Sequence, residues 1–193
     1  MPHPRLIVFA GSTRKESWNR KLASVAASMA RDAGADVTHL ELADFPLPLM
    51  DEDLEAAEGL PANCLKLKDL WKVHDGFIVS CPEYNSSITP LLKNTIDWLS
   101  RPREGEKPLE CFKGKVAGLL AASEGALGGL RGLVTVRSIL GNIGVIVVPD
   151  QVALTEANKR FGPDGGLADA AQAARVRAAV EATVRVAALL RQR

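Results

Sequence analysis

A three-layer α/β sandwich, with a five-stranded parallel sheet and helices on both faces, is the architecture expected of this 193-residue chain. Three observations lead there. Short, nearly all-apolar runs alternate with helical patterns, and strands apolar at every position are buried on both sides. The alternation gives five strands, which suits the order 2-1-3-4-5 better than the six-stranded dinucleotide fold. No repeat, low-complexity tract or second core interrupts it, so residues 1–193 are read as one domain.

The elements follow in order. "RLIVFA" (5–10) is a short apolar run closed by Gly11, a buried strand. The helix after it repeats Leu22, Val25, Ala26, Met29, Ala30 and Ala33 at intervals of three and four and stops at Gly34. "DVTHLEL" (36–42) is the second strand and "ADFPLPLMDED" a proline-broken loop. "LPANCLKLKDLWKVHD" is a helix with Leu67, Leu70, Trp71 and His74 on one side. "GFIVSC" (76–81) is the third strand, followed by a helix with Thr89 as N-cap and Pro90 at its first position. "KVAGLLAAS" (115–123) and "GVIVVP" (144–149) are the fourth and fifth strands, flanking a helix over 129–141. "GPDGG" (162–166) breaks the chain before a long C-terminal helix.

Composition narrows the functional classes. With 24 basic and 23 acidic residues the net charge is +1, which offers no field for nucleic acid or an anionic membrane. No run approaches the roughly 20 apolar residues of a membrane helix, and Leu6–Ala10 is too short for a signal-peptide core. Cys64, Cys81 and Cys111 are odd in number and scattered, so the expected location is the reducing cytoplasm. Cysteine and histidine never cluster as metal ligands do.

In the 2-1-3-4-5 order a crevice opens at the carboxyl ends of strands 1 and 3, where the crossovers diverge. The loops leaving those strands, "GSTRKESWN" (11–19) and "PEYNSS" (82–87), are the most polar and distinctive in the chain. In the first, Gly11 permits a tight turn, Ser12, Thr13 and Ser17 supply hydroxyls, and a helix N-terminus presents free amides. Arg14 adds a planar cation suited to phosphate, while Asn19 either braces the loop or donates to the anion. Neither G-x-x-x-x-G-K-[ST] nor G-x-G-x-x-G occurs, which points to one terminal phosphate and a mononucleotide. In the second loop Tyr84, the only tyrosine, suits stacking on a flat ring whose polar edge meets the amides of Glu83 to Asn85. "SEGALGG" (123–129), leaving the fourth strand, brings glycine backbone close to the same ligand.

Three segments together, G-S-x-R-x-x-S-x-N (11–19), P-E-Y-N-x-S-x-x-x-x-L-K-N-x-I-D-W-x-S-R (82–101) and S-x-G-x-x-G-G-x-R (123–131), resemble the NADPH-dependent FMN reductase family, which includes bacterial quinone and chromate reductases. The resemblance implies a flavodoxin-like fold and non-covalent FMN. It also implies hydride transfer from NADPH or NADH to quinones, free flavins, azo compounds or oxidised metals such as chromate. A homodimer or homotetramer with the site near the subunit contact is expected. By motif position Ser12, Arg14, Ser17 and Asn19 hold the phosphate, with Trp18 beside them. Pro82, Glu83, Tyr84 and Asn85 border the isoalloxazine, and Ser123, Glu124 and Gly125 close the other side. Arg14 and Arg101 are candidates for the 2′-phosphate of NADPH, Arg101 being equally a surface or contact arginine.

Rival chemistries meet specific obstacles. Ser123 sits at a strand-to-helix turn like a hydrolase nucleophile, but Ala121 replaces the first glycine of G-x-S-x-G and no histidine follows position 74. A phosphatase with Cys81 as nucleophile needs an arginine where Ser87 stands. A non-enzymatic flavodoxin-like electron carrier is the remaining alternative; the near-zero net charge and Arg14 count against it.

Overall fold

Five parallel strands form the sheet: β1 (Arg5–Ala10), β2 (Asp36–Leu40), β3 (Gly76–Ser80), β6 (Val116–Ala122) and β7 (Ile146–Leu154). Their spatial order is β2-β1-β3-β6-β7, the expected 2-1-3-4-5 arrangement once two short strands outside the sheet are set aside. Those two, β4 (Glu83–Tyr84) and β5 (Ser87–Ile88), pair with each other antiparallel. The helices are α1 (Trp18–Asp32), α2 (Glu52–Glu58), α3 (Ala62–Lys72), α4 (Pro90–Ser100), α5 (Leu130–Asn142) and α6 (Ala170–Arg191). The computed structural model describes residues 3–191.

The pleat of β1 sorts its side chains into two cores. Leu6, Val8 and Ala10 join α1 and α6 through Leu22, Ala26, Ala30, Val176 and Val180. Ile7 and Phe9 face the other way, toward Leu67 and Trp71 of α3, Leu92 and Ile96 of α4, and Leu133 and Val136 of α5. The result is the flavodoxin-like sandwich, with a dry core on each side of the sheet.

Four boundaries depart from the sequence reading. The segment after β2 is not simply loop, since Leu42–Asp44 form a 3-10 turn and α2 begins at Glu52. Asp51 starts that helix by accepting from the amides of Asp53 (2.8 Å) and Leu54 (3.3 Å). The fifth strand was expected over 144–149, yet β7 starts at Ile146 and runs through Pro149 to Leu154. It is an edge strand, where a missing N–H is tolerated. Between the pairs Ala117–Val147 and Leu119–Gln151 the register breaks, and Arg137 of α5 donates to the carbonyls of Val147, Val148 and Pro149 exposed by the bulge. The hairpin β4–β5 is the fourth departure; it was read only as polar loop.

The long segments before α3 and after α4 are tied down by side chains of those two helices. Asn94 accepts from Met50 N (2.8 Å) and donates to Pro48 O (2.8 Å), and Trp98 Nε1 donates to the same carbonyl. Lys68 of α3 is almost wholly buried and reaches Leu99 O, Arg101 O and the Glu106 carboxylate at 2.9 Å. Among the described residues no helix is long and apolar enough to cross a membrane.

Candidate functional site

The loops after β1 and β3 meet at the carboxyl edge of the sheet, as their position at the switch point demands. Gly11 N donates to Ser80 O (2.9 Å), and the Thr89 hydroxyl donates to Gly11 O (2.8 Å) while accepting from Leu92 N. Thr89 therefore caps α4 and pins the two loops together at once. Between them lies an open crevice of ≈ 350 Å³ bordered by Gly11, Ser12, Thr13, Arg14, Tyr84, Thr89, Pro90 and Leu91. Thr89 was read only as a helix cap; its second bond spans 78 residues, and nothing local announces it.

One wall of the crevice leads into the start of α1. Ser17 is the N-cap, buried, and its hydroxyl makes no capping bond, so α1 opens with unclaimed amides. No acidic residue stands in the first turn. Ser12 is buried, with its Oγ accepting from Arg14 N (3.2 Å), which shapes the turn. The Arg14 side chain is exposed and, among the described residues, has no acidic partner. Helix amides, hydroxyls and an uncommitted guanidinium are the kinds of donor that suit a phosphate.

The other wall of the crevice is the hairpin. Tyr84 is 56% exposed on its first arm, at the rim of the crevice. Asn85 and Ser86 form the turn, both at positive φ (50° and 67°). Pro82 is buried at the end of the third strand's exit. In the third loop Ser123 Oγ accepts from Gly125 N (3.2 Å), and Gly128, at φ +60°, runs so close to the backbone of Ala153 to Thr155 that a Cβ would stand 2.8 Å from it.

Several expected ligand-binding side chains are committed elsewhere. Asn19 is buried, donates to Ala122 O (2.8 Å) and accepts from Ala122 N and Ser80 Oγ. Of its two open roles the structure shows the bracing one: these bonds fasten α1 to β3 and β6, and they engage one of the two Nδ2 hydrogens. Trp18 Nε1 donates to Glu124 (2.9 Å), and its ring stacks on Phe161 at 5.6 Å with Lys21 4.6 Å from its centroid. That pair joins the first and third loops rather than lining the crevice. Glu83 turns away to α5, where it bonds Arg131 and Gly132. Arg101 is engaged by Glu55 (2.7 Å) and Glu52 (3.4 Å) of α2.

No histidine borders the crevice, and the three thiols are buried. Burial pushes the Cys64 thiol up to about 11 and raises Cys81 and Cys111 as well, so none is a ready nucleophile.

A model of the NADPH-dependent FMN reductase family matches residues 4–159 of this chain. The chain belongs to that family. Among relatives of this FMN reductase is a probable NADPH:quinone oxidoreductase 1 of Oryza sativa subsp. japonica, 33% identical over 175 residues, 88% of this chain and 84% of the relative. A quinone reductase of Escherichia coli is 36% identical over 137 residues, 70% and 69% of the two chains. An NAD(P)H-dependent FMN reductase of Pseudomonas aeruginosa is 32% identical over 167 residues, 86% and 85%. Among solved structures, the flavoenzyme NAD(P)H:(acceptor) oxidoreductase FerB of Paracoccus denitrificans superposes with a TM-score of 0.83 at 28% identity, covering 96% of this chain and 98% of that one. The FMN reductase family consists of oxidoreductases that use NAD(P)H with FMN as the flavin. The donor set of the crevice fits that group: a cradle for one phosphate at one end and an exposed aromatic ring at the other.

Proposed function

We propose that this protein is an FMN-dependent NAD(P)H oxidoreductase whose terminal acceptors are small oxidants, with quinones and free flavins first and azo compounds and chromate within the same open crevice's reach. The observation that carries the reading is the convergence of the Ser12–Arg14 turn and Tyr84 on one crevice. Bound FMN supplies hydride acceptance from NAD(P)H and delivery of two electrons to the acceptor. The residues of this chain bind and orient. Ser12, Ser17 and Arg14, with the first amides of α1, hold the phosphate. Tyr84 and the backbone of Pro82 to Asn85 border the ring, and Ser123 to Gly125 limit the opposite side. Trp18 and Glu124 hold the first and third loops in register, and Asn19 fixes both to the sheet. No protein general base is assigned, in keeping with a crevice that no histidine borders.

Exposed Leu127, Leu130 and Val134 lie on α5 and the loop before it, beside the hairpin. They support a homodimer or homotetramer with the crevice near the contact, which light scattering reads directly. Three free buried cysteines suit a cytoplasmic location.

The test is anaerobic. Protein loaded with FMN and mixed with NADPH or NADH loses its yellow colour, and a stoichiometric quinone restores it. Retention of colour with both nicotinamides overturns the proposal.

A further inference from the structure

The hairpin that carries Tyr84 is too small to hold its own shape. Each arm has two residues, with pairs Glu83–Ile88 and Tyr84–Ser87, and even longer isolated two-stranded ribbons are marginal in water. Its turn places two non-glycine residues, Asn85 and Ser86, in the left-handed region. Asparagine tolerates that conformation, whereas serine is disfavoured because its Cβ crowds the backbone. An external clamp is required, and it lies on α5.

The N-cap of α5 is Gly129, which has no side chain to accept from the first amides. Glu83 supplies the missing acceptor from outside the helix. One carboxylate oxygen accepts from Arg131 N (3.0 Å) and Gly132 N (3.1 Å); the other accepts from Arg131 Nε (2.8 Å) and pairs with its Nη2. The carboxylate thus sits on the positive end of the helix dipole with a guanidinium beside it. Gly132 lets the helix come this close, since a Cβ there would stand 3.3 Å from Ser87 O and 3.4 Å from Glu83 Cβ. Both arms of the hairpin rest on the first turn of α5.

We propose that Glu83 is a positioning residue for the flavin ring: its carboxylate clamps the Tyr84 hairpin to the first turn of α5 and so holds the ring-binding wall of the crevice ready before the cofactor arrives. The inference rests on the FMN reading above. It assigns Glu83 a role distinct from the contact its motif position suggests, because the side chain acts through the hairpin and not on the ring.

The variant Glu83→Gln keeps the length of the side chain but removes the charge and turns one oxygen into a donor facing Arg131. Arg131→Gln keeps both amide bonds and removes only the guanidinium. Affinity for FMN and for riboflavin is measured for each by flavin fluorescence quenching, with visible circular dichroism of the bound flavin and amide exchange of the flavin-free protein. The expected result for Glu83→Gln is a loss of about tenfold for both flavins by the same factor, since the phosphate cradle is untouched. Its flavin dichroism changes, and exchange quickens at Tyr84, Arg131 and Gly132 but not in α1. Arg131→Gln shifts the same readouts in the same direction by about threefold. Wild-type affinity and dichroism in Glu83→Gln overturn the clamp; should that variant not fold, unchanged affinity and dichroism in Arg131→Gln do so. Wild-type protein that binds neither flavin overturns the FMN reading itself, which separates the two failures.

Discussion

Asn19 and Arg14 stand five positions apart, in the first turn of α1 and the loop before it, and the fold gives them opposite work. Asn19 is inside, its carboxamide bonded across to residues 61 and 103 positions away. Arg14 is outside, with no acidic partner among the described residues. On the proposed reading its guanidinium makes a charge-assisted contact with the FMN phosphate, worth about 1.5–3 kcal/mol when well formed and less where solvent reaches it. Arg14→Gln is therefore expected to weaken FMN by about tenfold while leaving riboflavin affinity unchanged, read by the same quenching titration. Equal affinity of wild type and variant for FMN would remove the phosphate role. Residue types in the first loop made a donor-rich turn at a helix start legible, because hydroxyls, a glycine and an arginine stand together there. Which of those side chains turns inward was not legible, since the partners of Asn19 belong to β3 and β6.

Helices and central strands were readable because their signals are local: Thr89 and Pro90 start α4, and Gly34 ends α1's run. β7 was cut short at Pro149 because proline ordinarily ends a strand. The strand continues because Arg137, from a helix earlier in the chain, takes up the carbonyls that the bulge exposes, with Nη2 2.9 Å from Val148 O and 2.8 Å from Gln151 Oε1. Removing that donor leaves those acceptors to compete for water behind α5. Arg137→Met is expected to cost about 2 kcal/mol, seen as a fall of roughly 4–8 °C in the unfolding midpoint. An unchanged midpoint would mean the bulge holds itself. The hairpin β4–β5 escaped the sequence reading for a related reason. Two residues per arm leave no alternation to detect, and its shape comes from Glu83 on α5.

Stability of the whole molecule carries a pH signature from groups far from the crevice. His74 is buried, with Nδ1 donating to Leu70 O (2.7 Å), so the neutral ring accepts at Nε2 from Thr38 Oγ1 (2.9 Å). Burial lowers its pKa below 6.5; the Leu70 bond opposes this, and nearby Arg5 and Lys115 add to it. His39 is lowered too, chiefly by burial. In the window just below 6.5 the unfolded chain then binds more protons than the folded one. Stability is full above that pH and declines as pH falls from 6.5 toward the lower folded values. His74→Gln is expected to flatten this decline in urea midpoints measured between neutral and mildly acid pH. An identical slope in wild type and variant would show that His74 does not contribute.

What the amino-acid order determined by itself was the five strands of the sheet and the longer helices, their parallel arrangement, and the two loops that face one another. Each of those rests on periodicity, capping or turn chemistry, which act over a few neighbouring residues. Tertiary structure alone decided which polar side chains face the crevice and which are consumed in holding it. Thr89 on Gly11, Asn19 on Ala122, Trp18 on Glu124 and Glu83 on α5 are bonds between segments remote in sequence. A donor or acceptor near such a crossing is taken by whatever partner the packing brings within reach, and that partner is not encoded beside it.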